Sequence, residues 1–386
     1  MAETTIETPT GDVVLSTAHP GGNADVVGHD GHTIVLEPEQ RDSEKQWFYW
    51  NFEVRSRSDV TLDFRFHGCE PLGPWGPATT TGNDSWEWLG TEAATDRSQF
   101  SYSFAEGEVR RFAFSLPYQL RHLDRFLNER AQWTSLSRTS IGTSDGGRSV
   151  PCLSAGARGE TRNIVLACRH HACETTASYV LEGIVDGLLT EGSDLLSTRR
   201  LHVFPLVDVD GVERGDQGKH RIPHDHNRDY ATSNALLDSI PSLYASTEAI
   251  RNYLDRIDGQ FEFSLDLHCP WMYGERNDRP FFVDDPDDVS PSVAALGQTL
   301  EKVTESRGSD GIRFDATPGT GIENFHSGEP AAPTFSQHLS DRGAISTTLE
   351  VPYFGVDGNE ITSDSCRRFG VDISRAVIRF LTEGTG

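Results

Sequence analysis

Lysine is nearly missing from this sequence. Lys45, Lys219 and Lys302 are its only lysines, so almost all of its 34 basic residues are arginines. They stand against 59 acidic residues, and the formal net charge is -25. A surface this acidic repels nucleic acid and anionic lipid, so neither a nucleic acid nor a membrane is expected as a partner. Well-hydrated carboxylates, with guanidinium in place of ammonium, suit a salt-rich cytoplasm, and the expected source is a halophile. Long apolar runs are also missing. No window approaches the ~18 consecutive apolar residues of a membrane span. The opening MAETTIETPT is acidic and has no apolar core, so it does not read as a signal peptide, and a cytoplasmic protein is expected. The six cysteines contain no CxxC pair and no spacing that suggests a disulfide framework.

What is present divides the chain. Residues 1–30 are rich in Gly, Thr and Asp and are expected to be loose. From residue 31 to 118, short aromatic or β-branched stretches such as QWFYWNFEV, VTLDFRFHG and RRFAFSLPY alternate with turn-rich pieces. That spacing predicts an antiparallel β-sandwich. From residue 119 onward strands and helices alternate. NIVLACR, RRLHVFPLV, FEFSLDLHC and AISTTLEVPY read as strands. Helical spacing fills the intervals and the C-terminal stretch, with Thr175 and Thr176 as candidate caps of the first helix after NIVLACR. The pattern predicts an α/β domain with a mixed, mainly parallel sheet.

Four places in this second half gather polar residues where a strand should end, which is where open α/β sheets bind ligands. They are RHHACE (169–174), DVDGV (208–212) followed by HDHNRDY (224–230), DLHCP (266–270) and TTLEVPY (347–353). Singly each is weak. An HxxE spacing like that of His171 and Glu174 arises about once by chance in a chain of this composition. His268 could be a satisfied core histidine, and Glu350, in an apolar strand, could be salt-bridged to an arginine. Together they are more specific. Two imidazoles and a carboxylate make a catalytic zinc shell with a fourth position for water. A further carboxylate can take that water's proton. An arginine beside an asparagine offers a fork of donors to a substrate carboxylate.

In this order the motifs resemble the M14 family of zinc carboxypeptidases, in particular its cytosolic carboxypeptidase branch, which carries a β-sandwich before the catalytic domain. RHHACE is similar to the family's RxHxxE, DVDGV to NPDGV, HDHNRDY to DLNR, DLHCP to DLHGH, and GRSVPCL (147–153) to the GRPV segment that opens the catalytic domain. The resemblance runs from about Gly22 to the C-terminus. It implies one zinc per chain on His171, Glu174 and His268, with His170 a neighbour and not a ligand. It implies Glu350 as general base and acid, and Asn227 and Arg228 as holders of the C-terminal carboxylate of a peptide or protein substrate. Asp266 is expected to orient His268 or a nearby backbone group.

The sequence also departs from the family pattern. The arginine that stabilises the oxyanion in most of the branch is replaced by Gly218, flanked by Lys219 and Arg221. Lys219 is therefore a candidate catalytic cation, with Arg221 as a substrate-binding one and a surface lysine as the plain alternative. No tyrosine lies between Tyr273 and Glu350, so the tyrosine of digestive members is missing unless Tyr353 serves. Cys173 is either an inert small residue or a soft neighbour of zinc. The pocket wall that selects the leaving residue is expected near 322–337, with Glu323, His326 and Glu329 in it. The expected activity is hydrolysis of a C-terminal peptide bond. Two other readings remain: a zinc deacylase of N-acyl amino acids, similar to aspartoacylase, or a catalytically weak zinc-binding scaffold.

Overall fold

The computed structural model describes residues 3–9, 11–43, 47–82, 85–133, 135–159, 161–231, 242–307, 311–323 and 333–383. His326 and Glu329 lie outside the described residues. The N-terminal third holds two sheets. One has the order β1 (Glu3–Thr8), β2 (Gly11–Ser16), β5 (Asn51–Ser56), β11 (Val109–Ala113), β7 (Ala78–Thr80), β8 (Glu87–Trp88). The other has the order β3 (Asp25–Asp30), β4 (Thr33–Glu37), β6 (Val60–Phe66), β10 (Gln99–Phe104), β9 (Ala94–Asp96). Their inner faces interdigitate through aromatic rings. Phe52 and Phe112 of the first sheet meet Phe64, Phe100 and Phe104 of the second, with centroids 5.2–6.1 Å apart. Pairing is antiparallel except between β4 and β6, which run parallel.

Residues 3–30 are not the loose segment that their Gly, Thr and Asp content suggested. They form β1, β2 and β3. The period-two placement of Val13 and Leu15, together with Ile6, buries those side chains while their neighbours face outward. Composition hid a short hairpin whose signal is alternation.

The rest of the chain builds an eight-stranded mixed sheet among the described residues. Its order is β12 (Ser137–Thr143), β13 (Ser149–Gly156), β15 (Arg199–Phe204), β14 (Thr161–Cys168), β16 (Gly259–His268), β19 (Ile345–Glu350), β17 (Phe281–Val283), β18 (Ile322–Glu323). The four central strands β15, β14, β16 and β19 are mutually parallel. They read as near-continuous apolar runs because both faces are covered. The helices in chain order are α1 (Leu120–Glu129), α2 (Thr175–Glu191), α3 (Ser193–Leu196), α4 (Val209–Arg214), α5 (Ala245–Leu254), α6 (Pro291–Glu305), α7 (Phe335–Ser340) and α8 (Ser363–Glu383). Helices α2 and α8 approach closely at Gly183 and Gly370. A Cβ on Gly183 would run into the Arg367 carbonyl, and one on Gly370 into the Val180 carbonyl. Among the described residues no helix is long and apolar enough to cross a membrane. The six cysteines are all free, five of them buried.

The two parts share an interface. Ser115 donates to the Tyr353 carbonyl at 3.0 Å, Trp88 Nε1 to Ile361 O at 2.6 Å, and Tyr118 Oη to Glu182 at 2.9 Å.

Several histidines are buried as neutral rings. Burial lowers His19, His202, His226 and His338 to about 4. His202 is held by Tyr253 Oη at 2.9 Å and Asn163 Oδ1 at 3.1 Å. A depressed folded-state pKa means that stability is whole above the unfolded value of about 6.5 and is lost as pH falls toward 4, by about 1.4 kcal/mol per unit and ring. His202→Gln removes one such ring. Its urea midpoint should lie below wild type near pH ~7 yet fall less steeply down to about pH 5. A variant whose midpoint tracks wild type in parallel over that range would overturn the assignment.

Candidate metal centre

The site begins where β14 ends. Arg169 turns the chain with φ 65, a left-handed backbone that a non-glycine residue adopts only when its surroundings enforce it. Here the enforcement is its own buried guanidinium, which donates to Tyr118 O at 3.1 Å, to Ser178 Oγ at 3.0 Å and to Ala172 O. The turn delivers His170 and His171 side by side and ends on Glu174, the N-cap of α2. Thr175 and Thr176 are therefore inside the helix and cap nothing. Thr176 instead donates to Pro352 O at 3.1 Å.

His268 closes β16 and Glu350 closes β19, and the two are register partners in the parallel ladder. The sheet thus sets the second imidazole and the lone glutamate side by side. His171 Nδ1 lies 2.8 Å from Glu174 Oε1, His268 Nδ1 lies 2.8 Å from Glu174 Oε2, and the two Nδ1 atoms are 3.3 Å apart. The opposite ring nitrogens are occupied. His171 Nε2 is 3.1 Å from both oxygens of Asp225, and His268 Nε2 is 2.9 Å from Asp266 Oδ2. A carboxylate accepts, so each Nε2 donates to its aspartate. Each Nδ1 faces the Glu174 carboxylate, and a positive charge, proton or metal ion, must stand between them. The donor set, two imidazole nitrogens and one carboxylate within 4.8 Å, fits zinc. His170, Asp266 and His268 form a second grouping of possible ligands. There, His170 Nδ1 is 3.0 Å from Asp266 Oδ1, and His170 Nε2 is already 2.8 Å from Tyr230 Oη.

The charges are tightly coupled. Burial pushes Glu174 up, but His171, Lys219 and His268 outweigh it and hold its carboxyl well below the usual range. Burial likewise pushes Asp225 and Asp266 up, and their imidazole partners bring both below the usual range. Glu350 goes the other way. Burial raises it, offset in part by Lys219 and His268, and Glu174 adds to the rise. Its Oε2 is buried without a hydrogen-bond partner, and it pairs with no arginine among the described residues. A buried carboxylate left in that state is expensive unless it has a task.

Not every residue singled out from the sequence faces this centre as expected. Arg228 is half-buried. Its guanidinium donates to Asn227 O at 2.9 Å and forms no ion pair among the described residues, so it is open to an anion. The Asn227 amide is committed through its oxygen, which accepts from Phe335 N at 2.9 Å. Lys219 reaches the centre, but its ammonium sits 2.5 Å from Glu174 Oε1 and 2.7 Å from Cys269 O instead of standing free for an oxyanion. Arg221 is turned away from the centre: it is buried and paired with Asp208, Asp42 and Asp216, so its charge is spent inside the fold. Tyr353 is likewise not placed to meet a substrate. It is fully buried among Phe48, Phe114 and Phe354, with its hydroxyl 3.4 Å from Cys173 Sγ. Burial raises the Cys173 thiol to about 12, which makes it inert. Gly218 has φ +82, and a Cβ there would lie 2.8 Å from His171 Cα. No side chain of any kind fits where the family's arginine stands. Asp225, the partner of His171, was overlooked, although its place two residues before Asn227 in HDHNRDY was the available signal.

About one zinc per chain should be found by elemental analysis. His171→Ala and His268→Ala should each abolish binding, since each removes one of the three donors. A protein that neither carries nor takes up zinc would contradict the assignment.

Residues 122–270 match the peptidase family M14, described as zinc carboxypeptidase. An uncharacterized protein of Zymomonas mobilis is 26% identical over 267 residues, covering 66% of this chain and 67% of that protein. Cytosolic carboxypeptidase 6 of Caenorhabditis elegans is 23% identical over 305 residues, covering 69% of this chain and 66% of its own length. A solved metallo-carboxypeptidase from Burkholderia cenocepacia, 14% identical, has the same fold, with a TM-score of 0.75 over 96% of this chain and 99% of that one. The match to the M14 model spans the stretch that carries His171, Glu174 and His268, and the solved metallo-carboxypeptidase shares the fold of nearly the whole chain.

Proposed function

We propose that this chain is a zinc-dependent carboxypeptidase that releases the C-terminal residue of a peptide or protein. The observation that carries this reading is the unpaired, buried Glu350 carboxylate next to the His171, Glu174 and His268 triad. Zinc in that triad supplies a Lewis acid that lowers the pKa of water toward ~7. Glu350 accepts the proton of the attacking water and returns it to the leaving amine, and its raised pKa suits it to both halves of that transfer. Arg228 holds the substrate's terminal carboxylate, and Asn227 keeps the adjoining wall fixed through Phe335. Lys219 balances the charge of Glu174 and steadies it from behind. We place the reaction in the cytoplasm of a salt-rich organism. Six unpaired thiols fit a reducing compartment, and the lysine-poor acidic composition fits high salt.

Glu350→Gln should lower kcat by about 10²–10⁴-fold while zinc content and melting temperature stay at wild-type values. Arg228→Ala should raise KM for free-acid peptides and leave kcat little changed, because a charge-assisted pair is lost. Wild type should not cleave peptides with an amidated C-terminus. Equal cleavage of amidated and free-acid peptides would remove the carboxypeptidase reading. Turnover of N-acyl amino acids alone would establish the deacylase, and zinc binding without any turnover would establish the scaffold.

A further inference from the structure

Behind the metal centre lies a second line of polar side chains that the proposed reaction does not use. Tyr230 Oη is 2.8 Å from His170 Nε2. His170 Nδ1 approaches Asp266 Oδ1 at 3.0 Å, off the ideal hydrogen-bond line. Asp266 Oδ2 is 2.9 Å from His268 Nε2. All four residues are at most 2% exposed. The His170 and His268 rings lie nearly parallel, 10° apart in plane with centroids 5.5 Å apart.

We propose that Tyr230 and His170 are positioning residues that fix the Asp266 carboxylate, and through it the His268 ring, so that His268 Nδ1 is aimed at the metal. The inference rests on reading His171, Glu174 and His268 as a zinc shell. The donors and acceptors alternate along the line. Tyr230 donates its hydroxyl proton to the Nε2 lone pair of His170. That leaves the His170 proton on Nδ1, facing Asp266 Oδ1. Asp266 then has the His170 ring 3.0 Å from Oδ1, and Oδ2 accepts from His268 Nε2. A carboxylate buried with only one oxygen engaged is free to rotate and costs the desolvation of the other. His170 limits that rotation by occupying the space 3.0 Å from Oδ1 with an N–H of the right sign, and Tyr230 fixes the tautomer that puts the proton there. The Tyr230 ring is itself locked edge-on against Phe335, with centroids 5.3 Å apart. Phe335 is also the residue whose backbone nitrogen holds Asn227. The line therefore does not bind the metal itself. It decides which way a ligand points.

The test uses three variants. His170→Phe keeps the ring volume and removes the hydrogen bonds. His170→Asn puts an amide nitrogen close to the place of Nδ1. Tyr230→Phe removes only the hydroxyl. Zinc dissociation constants are measured by competition with a chromophoric chelator, alongside kcat, KM and the melting temperature of the zinc-stripped protein. His170→Phe should weaken zinc binding by about 10–100-fold, the range seen when a metal ligand loses its orienting partner. Its KM for a free-acid peptide at saturating zinc should stay close to wild type. His170→Asn should restore most of the affinity, and Tyr230→Phe should weaken binding in the same direction but less. Wild-type affinity in His170→Phe, or equal weakening in His170→Asn and His170→Phe, would overturn the proposal by reducing His170 to a space-filling ring. If His170→Phe does not fold, unchanged zinc affinity in Tyr230→Phe overturns it instead. A wild type that binds no zinc would instead remove the shell on which the proposal rests.

Discussion

Both candidate metal imidazoles are held by a carboxylate at Nε2, and this one constraint organises the site. Asp225 takes His171 Nε2 and Asp266 takes His268 Nε2, so each ring turns its Nδ1 toward Glu174. Neither carboxylate could do this from a flexible position. Asp266 is built into β16, two residues before His268. Asp225 is tied to the backbone nitrogen of Asn227 at 2.7 Å. Both rings are thus oriented by carboxylates that are themselves fixed, which is the usual support of a metal-binding imidazole.

The sandwich contributes to this centre as well as preceding it in the chain. The segment 214–221, which carries Gly218 and Lys219, is held from both parts of the molecule. Asn23 Nδ2 donates to Gly215 O at 2.9 Å, Gln217 Oε1 accepts from Phe48 N at 2.8 Å, and Asp42 Oδ2 accepts from Gly218 N at 2.8 Å. Asp42 also faces Arg221. Desolvation raises Asp42 to about 6 despite that arginine, so this cluster is bought at a cost in stability. What it secures is place: Gly218 is pressed against the backbone of His171, and Lys219 is brought onto Glu174. The sandwich thus reaches the metal ligands through one loop.

Much of the architecture was legible in the sequence. The central strands declared themselves as apolar runs ending in polar residues, and the ends of β14, β16 and β19 hold the candidate metal and proton-transfer residues as expected. The errors have specific physical causes. Arg221 and Tyr353 stood at suggestive distances from the motifs, but distance along the chain does not tell which side chains are neutralised by partners from elsewhere. Asp42, which pairs with Arg221, is nearly 180 residues away in sequence. The strands of residues 3–30 were masked by a composition typical of loops. The closure of position 218 was invisible because it follows from the approach of a separate turn. His170 lacks the HxxE spacing of His171, and that spacing says nothing of its contact with Asp266.

The central claim is that zinc lies between His171 Nδ1, His268 Nδ1 and Glu174. Anomalous diffraction at the zinc edge from crystals of the zinc-loaded protein tests it directly. The account predicts one strong peak among those three groups, beside the Glu350 carboxylate. A peak among His170, Asp266 and His268 Nε2 would contradict it, because the atoms assigned to orienting the ligands would then be the ligands themselves.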